Sequence, residues 1–174
     1  MKAEEVRKVG VIGAGIMGSG IVEVVARAGM AVVFVEATDE LVAAGRERVE
    51  RSTRVAAERG KMSADDRDQV LGRIAGTTDL ADLADVDLAI EAATEDYETK
   101  RQLFRRLDEV TRPDVVLASN TSSIPIVDLA SVTKRPDRVV GMHFFNPVPV
   151  MGLIELVRPS PPRTRPWNSA GPSV

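Results

Sequence analysis

Residues 9–36 read V-G-V-I-G-A-G-I-M-G-S-G-I-V-E-V-V-A-R-A-G-M-A-V-V-F-V-E. Val9 to Ile12 is a short apolar run with no polar face, as a strand covered on both sides requires. Gly13, Gly15 and Gly18 follow as G-x-G-x-x-G. The first glycine permits a tight turn, the second lets backbone approach a pyrophosphate, and the third lets the next helix pack close to the strand. That helix aims its unpaired N–H groups and positive dipole end at the phosphates. It stops near Gly29. Ala31 to Val35 is a second buried strand ending at Glu36, whose carboxylate suits the 2′- and 3′-hydroxyls of an adenosine ribose. It repels a 2′-phosphate, so the cofactor expected is NAD rather than NADP. Strand, glycine turn, helix and second strand ending in an acid together give the context that a bare glycine cluster lacks.

The remaining chain extends this unit. Thr38 to about Gly60 is expected to be a long helix with Leu41, Ala44, Val49, Val55 and Ala56 as a loose apolar stripe. Ser63 and Asp66 resemble a capping box for a further helix running toward Ile74. The two make an inserted helical hairpin over about 38–75. Its charges are either a solvated face or a surface for an anionic substrate handle, through Ser52 with Lys61 or Arg59. Strands are expected at 74–78, 86–92, 115–119, 138–144 and 153–157, with helices at 94–110 and 126–130. Strands alternating with helices argue for a Rossmann-like, doubly wound, mainly parallel α/β sheet. Ligands bind such sheets beyond the carboxyl ends of the strands. Glu36, Glu95, Ser122 and His143 all fall there.

At 174 residues, 44% hydrophobic and 28% charged, the chain suits one soluble domain. The net charge of -3 suggests no nucleic-acid partner. With no cysteine and one histidine, thiolate and multi-histidine metal sites are excluded. The polar N-terminus and glycine-broken first apolar run resemble neither a signal peptide nor a membrane span, so the expected location is cytoplasmic. From residue 158 the composition shifts: the last seventeen residues hold five of the ten prolines and no acid. That segment, 158–174, reads as an irregular Pro/Arg-rich tail.

The chemistry centres on S-N-T-S-S at 119–123 and G-M-H-F-F-N-P-V-P-V-M-G-L-I-E-L at 141–156. His143 is the sole candidate for a histidine base. Pro147 and Pro149 break the strand and force a turn. The chain then returns along Leu153 to Leu156 and brings Glu155 beside His143, as an acid that orients the imidazole.

On these motifs, together with A-I-E-A-A-T-E-D at 89–96, the sequence resembles the NAD-binding domain of the 3-hydroxyacyl-CoA dehydrogenases, and most closely the bacterial 3-hydroxybutyryl-CoA dehydrogenases. The similarity covers residues 6 to about 157. It implies that His143 is the catalytic base with Glu155 as partner, and that Ser122 hydrogen-bonds the substrate 3-oxygen near the nicotinamide. It also implies cofactor contacts from Gly13, Gly15, Ile16, Met17, Gly18, Glu36, Glu95, Lys100, Ser122 and Asn146. Ser52 corresponds to a coenzyme A contact, and Lys61 or Arg59 to another. The implied reaction is reversible oxidation of a 3-hydroxyacyl-CoA to the 3-oxoacyl-CoA.

The family continues past Arg158 into a helical domain that closes the substrate cleft and forms the homo-oligomer, with an asparagine in a P-G-F-x-x-N-R motif. The tail resembles none of it and reads as an aberrant terminus. Two expectations therefore stand side by side: an NAD-dependent dehydrogenase acting on acyl-CoA, or a truncated, catalytically impaired NAD-binding module. A related β-hydroxyacid dehydrogenase is disfavoured, since those typically use a lysine base.

Overall fold

The computed structural model describes residues 5–159. In chain order the elements are β1 (Lys8–Ile12), α1 (Ile16–Arg27), β2 (Ala31–Val35), α2 (Asp39–Glu58), α3 (Ala64–Gly72), β3 (Ile74–Thr77), β4 (Leu88–Glu91), α4 (Tyr97–Val110), β5 (Val116–Ser119), α5 (Ile126–Ala130), β6 (Val139–Phe144) and β7 (Ile154–Val157). They form one seven-stranded sheet in the order β3-β2-β1-β4-β5-β6-β7. Every pairing is parallel except β6 with β7. The expected Rossmann-like doubly wound sheet is therefore the observed one. The order reverses between β1 and β4, which is where such sheets open a ligand crevice.

Strand side chains alternate between two cores. Val9, Val11, Val32 and Phe34 pack with Ile21 and Val22 of α1. Ile12, Val35, Ala89 and Leu117 pack on the other face with Phe104, Leu107 and Leu129. Burying a side chain of this size contributes about 1.5–3 kcal/mol, so Phe104 and Leu107 fasten α4 to the sheet.

Local signals set several boundaries. Gly29 takes φ +91° after α1. The Ser63–Asp66 capping box is present at the start of α3. Thr38 caps α2 by accepting from the Leu41 amide. The apolar stripe of α2 differs from the expected one, because its buried residues are Gly45, Val49 and Thr53, while Leu41 is exposed. The cause is Gly45: a Cβ there would lie 2.6 Å from Ala14 Cβ, so α2 rests on the glycine turn by its backbone. α4 begins at Tyr97 rather than Thr94, because the Asp96 side chain accepts from the Thr99 amide and caps the helix there. Two 3₁₀ turns, Leu80–Leu83 and Pro136–Arg138, were not legible in the sequence. Arg158 and Pro159 belong to no helix or strand. The rest of the expected irregular tail, 160–174, lies outside the described residues.

Candidate active site

The three glycines of the opening turn divide by what surrounds them. Gly13 has φ +90°, and a Cβ on it would meet the Ala92 carbonyl oxygen at 2.8 Å. A Cβ on Gly18 would sit 1.8 Å from the Gly13 carbonyl oxygen. Packing explains both. Gly15 is different, because nothing lies within 4 Å of its Cβ position. Ile16 beside it is 76% exposed. Gly15 caps α1 without any side-chain hydrogen bond, and the first turn of α1 holds no acid. The positive end of the helix thus faces an open cradle, the arrangement a pyrophosphate needs. Glu36 lies under the turn, where its Oε1 accepts the Ala14 amide at 2.5 Å. These residues fit a dinucleotide.

Beyond the carboxyl ends of β1, β4, β5 and β6 lies a cavity of about 410 Å³. It gathers Met17, Glu95, Lys100, Ser122, His143 and Asn146, residues expected at the site from distant parts of the sequence. His143 stands opposite Glu155 in the antiparallel β6–β7 ladder. Its Nδ1 lies 3.5 Å from Glu155 Oε2, an ion-pair distance rather than a hydrogen bond. The imidazole is 26% exposed and Glu155 60%. The Phe145 ring sits against the imidazole, with centroids 4.7 Å apart. Between the two strands the chain turns at a cis Asn146–Pro147 bond. Val148 is buried against α1, where a Cβ on Gly20 would come within 2.8 Å of it.

Two residues of this site escaped the sequence reading. Asn120 Oδ1 accepts the Phe144 amide at 2.9 Å, which ties the β5 loop to the end of β6 beside His143. Glu91 is fully buried and centres a polar network beneath the site. Its Oε1 accepts from Lys100 Nζ at 2.6 Å and from the Ala93 amide at 2.7 Å, and its Oε2 accepts from Ser119 Oγ at 2.6 Å. An acid closing a buried strand, within A-I-E-A, was the available signal. Lys100, expected as a cofactor contact, is 1% exposed and held between Glu91 and Glu95, the latter at 3.3 Å. It lines the cavity from behind that pair. Glu95 also accepts from the hydroxyls of Thr121 and Ser123. Burial pushes its carboxyl up, but Thr121, the Lys100 charge and Ser123 outweigh this and hold it below the ordinary value. Glu95 is thus an anion at the cavity wall.

The expected coenzyme A contacts divide. Ser52 lines a second cavity of about 470 Å³, shared with Arg48 and Arg51 of α2 and with Asn146, which also lines the first cavity. Lys61 lines a different cavity, with Arg27 and Arg73. Arg59 is exposed at the end of α2. The division arises because α2 runs alongside α1 in the same direction: Gly45 meets Ala14, Ser52 faces the first turns of α1, and the chain past α2 reaches the end of α1.

Among the described residues no cluster of three or more His, Cys, Asp or Glu could hold a metal ion. No helix there is long and apolar enough to cross a membrane.

Residues 8–165 match the family described as 3-hydroxyacyl-CoA dehydrogenase, NAD binding domain. The 3-hydroxybutyryl-CoA dehydrogenase of Mycobacterium tuberculosis is 54% identical over 157 residues, covering 90% of this chain and 55% of that protein. Among solved structures, M. tuberculosis FadB2 superposes with a TM-score of 0.86 at 53% identity, over 87% of this chain and 53% of that one. The (S)-3-hydroxybutyryl-CoA dehydrogenase PaaH1 from Ralstonia eutropha superposes at 0.87 with 45% identity, over 88% and 54%. The chain thus spans about half the length of the relatives it matches. With an open glycine cradle, a histidine–acid pair at the mouth of the sheet and a family match over most of its length, this chain belongs to the 3-hydroxyacyl-CoA dehydrogenases and carries their NAD-binding domain.

Proposed function

We propose that this chain provides the cofactor site and the general base for NAD-dependent oxidation of a 3-hydroxyacyl-CoA, with 3-hydroxybutyryl-CoA as the substrate to test first. One observation carries the reading: His143 and Glu155 face each other across a β-ladder in the cavity wall that also holds Ser122, and the Gly15 cradle opens beside the same sheet edge.

The geometry supports the following division of labour. Gly13 to Gly18 would hold the pyrophosphate through the first amides of α1, and Glu36 would take the ribose. Glu95 and Lys100, with Asn146, border the nicotinamide end. A nicotinamide held there would supply the hydride acceptor for carbon 3 of the substrate. Glu155 faces Nδ1 and so favours the tautomer that leaves Nε2 free to take the 3-hydroxyl proton. The imidazolium that forms is stabilised by the same carboxylate, and Ser122 holds the 3-oxygen. General-base assistance of this kind supplies about 10²–10⁴-fold in rate.

A second reading, an NAD-binding module that does not turn over alone, is favoured by the exposed apolar residues Val150, Leu153, Ile154 and Leu156 around β7, next to Glu155. The two are separated by NADH formation from 3-hydroxybutyryl-CoA together with NAD calorimetry. His143→Ala should abolish turnover while NAD affinity stays within about twofold. Binding without measurable turnover in the unmodified chain selects the module, and loss of both in His143→Ala makes His143 structural.

A further inference from the structure

α2 carries four arginines: Arg46, Arg48, Arg51 and Arg54. Three of them pair with a glutamate one turn away, Arg46 with Glu50, Arg51 with Glu47 and Arg54 with Glu58. Such pairs are ordinary helix-surface chemistry. Arg48 breaks the pattern. Its neighbours on the same helix face are Ala44, Gly45, Arg51 and Ser52, none of them an acid. Its Nη1 instead donates to the Ala14 carbonyl at 3.2 Å, inside the glycine turn. A solvated helix arginine needs no such reach. Gly45, one turn before Arg48, makes the contact possible, because it brings the backbone of α2 against the turn: a Cβ there would lie 2.6 Å from Ala14 Cβ and 3.5 Å from the Ala14 oxygen. Arg48 also lines the cavity bordered by Ile16 and Ser19 at the start of α1.

Ala14 is therefore held at both ends. Glu36 accepts its N–H at 2.5 Å and so fixes the Gly13–Ala14 peptide. Arg48 holds its C=O, which belongs to the next peptide, Ala14–Gly15. That peptide is trans, and in a planar trans unit the C=O and N–H point opposite ways. Fixing the Ala14 oxygen on the α2 side thus fixes the Gly15 N–H on the other. The Gly15 amide has no hydrogen-bond partner among the described residues. Glycine at one end of the unit leaves its plane otherwise free to turn. An amide ordered before its ligand arrives costs nothing to order on binding.

We propose that Arg48 is a positioning residue of the dinucleotide site: through the Ala14 carbonyl it locks the Ala14–Gly15 peptide, and with it the first free amide of the pyrophosphate cradle. The inference rests on the cradle reading given above and not on the chemistry of His143. A guanidinium suits the task, because its donors are set in a rigid planar fork.

Arg48→Met keeps an unbranched side chain of good helix propensity and removes the donor. The test combines three measurements on the full chain: calorimetric titration with NAD, urea unfolding, and ¹⁵N relaxation of the Gly15 amide without cofactor. In the parent the Gly15 order parameter should be that of rigid backbone, about 0.85, and in the variant it should fall toward about 0.6. NAD affinity should fall about fivefold or more. Arg48 is exposed, so the urea midpoint should move by less than about 0.5 M. Unchanged NAD affinity overturns the proposal. So does the same Gly15 order parameter in both proteins, since any affinity lost would then come from charge alone. A larger fall in the urea midpoint overturns it as well, by making Arg48 a general structural residue. A parent that binds no NAD refutes the cradle reading itself, and the relaxation measurement, made without cofactor, keeps the two failures distinct.

Discussion

Gly15→Ala and Gly18→Ala each add one methyl, three residues apart, and the structure separates their effects on stability. At Gly18 the new Cβ would sit 1.8 Å from the Gly13 carbonyl oxygen, a backbone atom that no rotamer change can move. The start of α1 must shift off the strand, at a cost of at least about 3 kcal/mol. At Gly15 the methyl meets nothing within 4 Å, and φ is already -65°. Stability should therefore stay within about 1 kcal/mol of the parent. The methyl does occupy the cradle in front of the first amides of α1. Displacing even one amide–phosphate hydrogen bond, at about 1.5–3 kcal/mol for a charged acceptor, weakens NAD by about tenfold or more. Urea unfolding reads the first quantity and calorimetric titration with NAD the second. Gly15→Ala should lose affinity without losing stability, and Gly18→Ala should lose both. A Gly15→Ala protein that binds NAD as the parent does would show that the open space is not the pyrophosphate's, and the functional reading would fall with it.

Other consequences are as direct. Glu36→Gln keeps an acceptor for the Ala14 amide but removes the charge, so the NAD-to-NADP affinity ratio should fall by about tenfold or more; equal ratios in parallel titrations would remove Glu36 from the ribose site. Lys100→Met leaves Glu91 buried without its cation and should cost about 3–5 kcal/mol by urea unfolding, much of it restored by adding Glu91→Gln; a loss under about 1 kcal/mol would refute the structural importance of the pair. The Glu95 carboxyl is held below its ordinary value of 4.5, so its contribution is full above that pH and is lost as pH falls through the lower folded-state value. Acid unfolding of Glu95→Gln should therefore depend less on pH below 4.5 than that of the parent; superimposable curves would contradict the network around Glu95.

What the sequence disclosed depends on how far apart the interacting residues lie. β1, the glycine turn, α1 and β2 were legible nearly to the residue, because each signal is local: an apolar run, a helix stop, an acid at a strand end. The Ser63–Asp66 capping box was legible for the same reason. The return of β7 against β6 followed from the prolines between them, and it brought Glu155 opposite His143 as expected. Glu91 stayed hidden because its meaning lies in Lys100 and Ser119, nine and twenty-eight residues away. Asn120 acts through a backbone amide twenty-four residues on. The stripe of α2 was misread because a glycine, which carries no hydropathy signal, is what touches the core. The division of Ser52 from Lys61 is a matter of helix direction, which periodicity does not encode.

The acid that faces His143 is carried by the outermost strand of the sheet, whose far side pairs with no other strand among the described residues. If His143 is the base proposed above, its tautomer is set at the rim, where backbone hydrogen bonds open first. On that proposal, fraying of β7 and loss of a competent imidazole would be one event. Anything that clasps that rim, whether more polypeptide or another molecule, would govern proton transfer without touching the substrate.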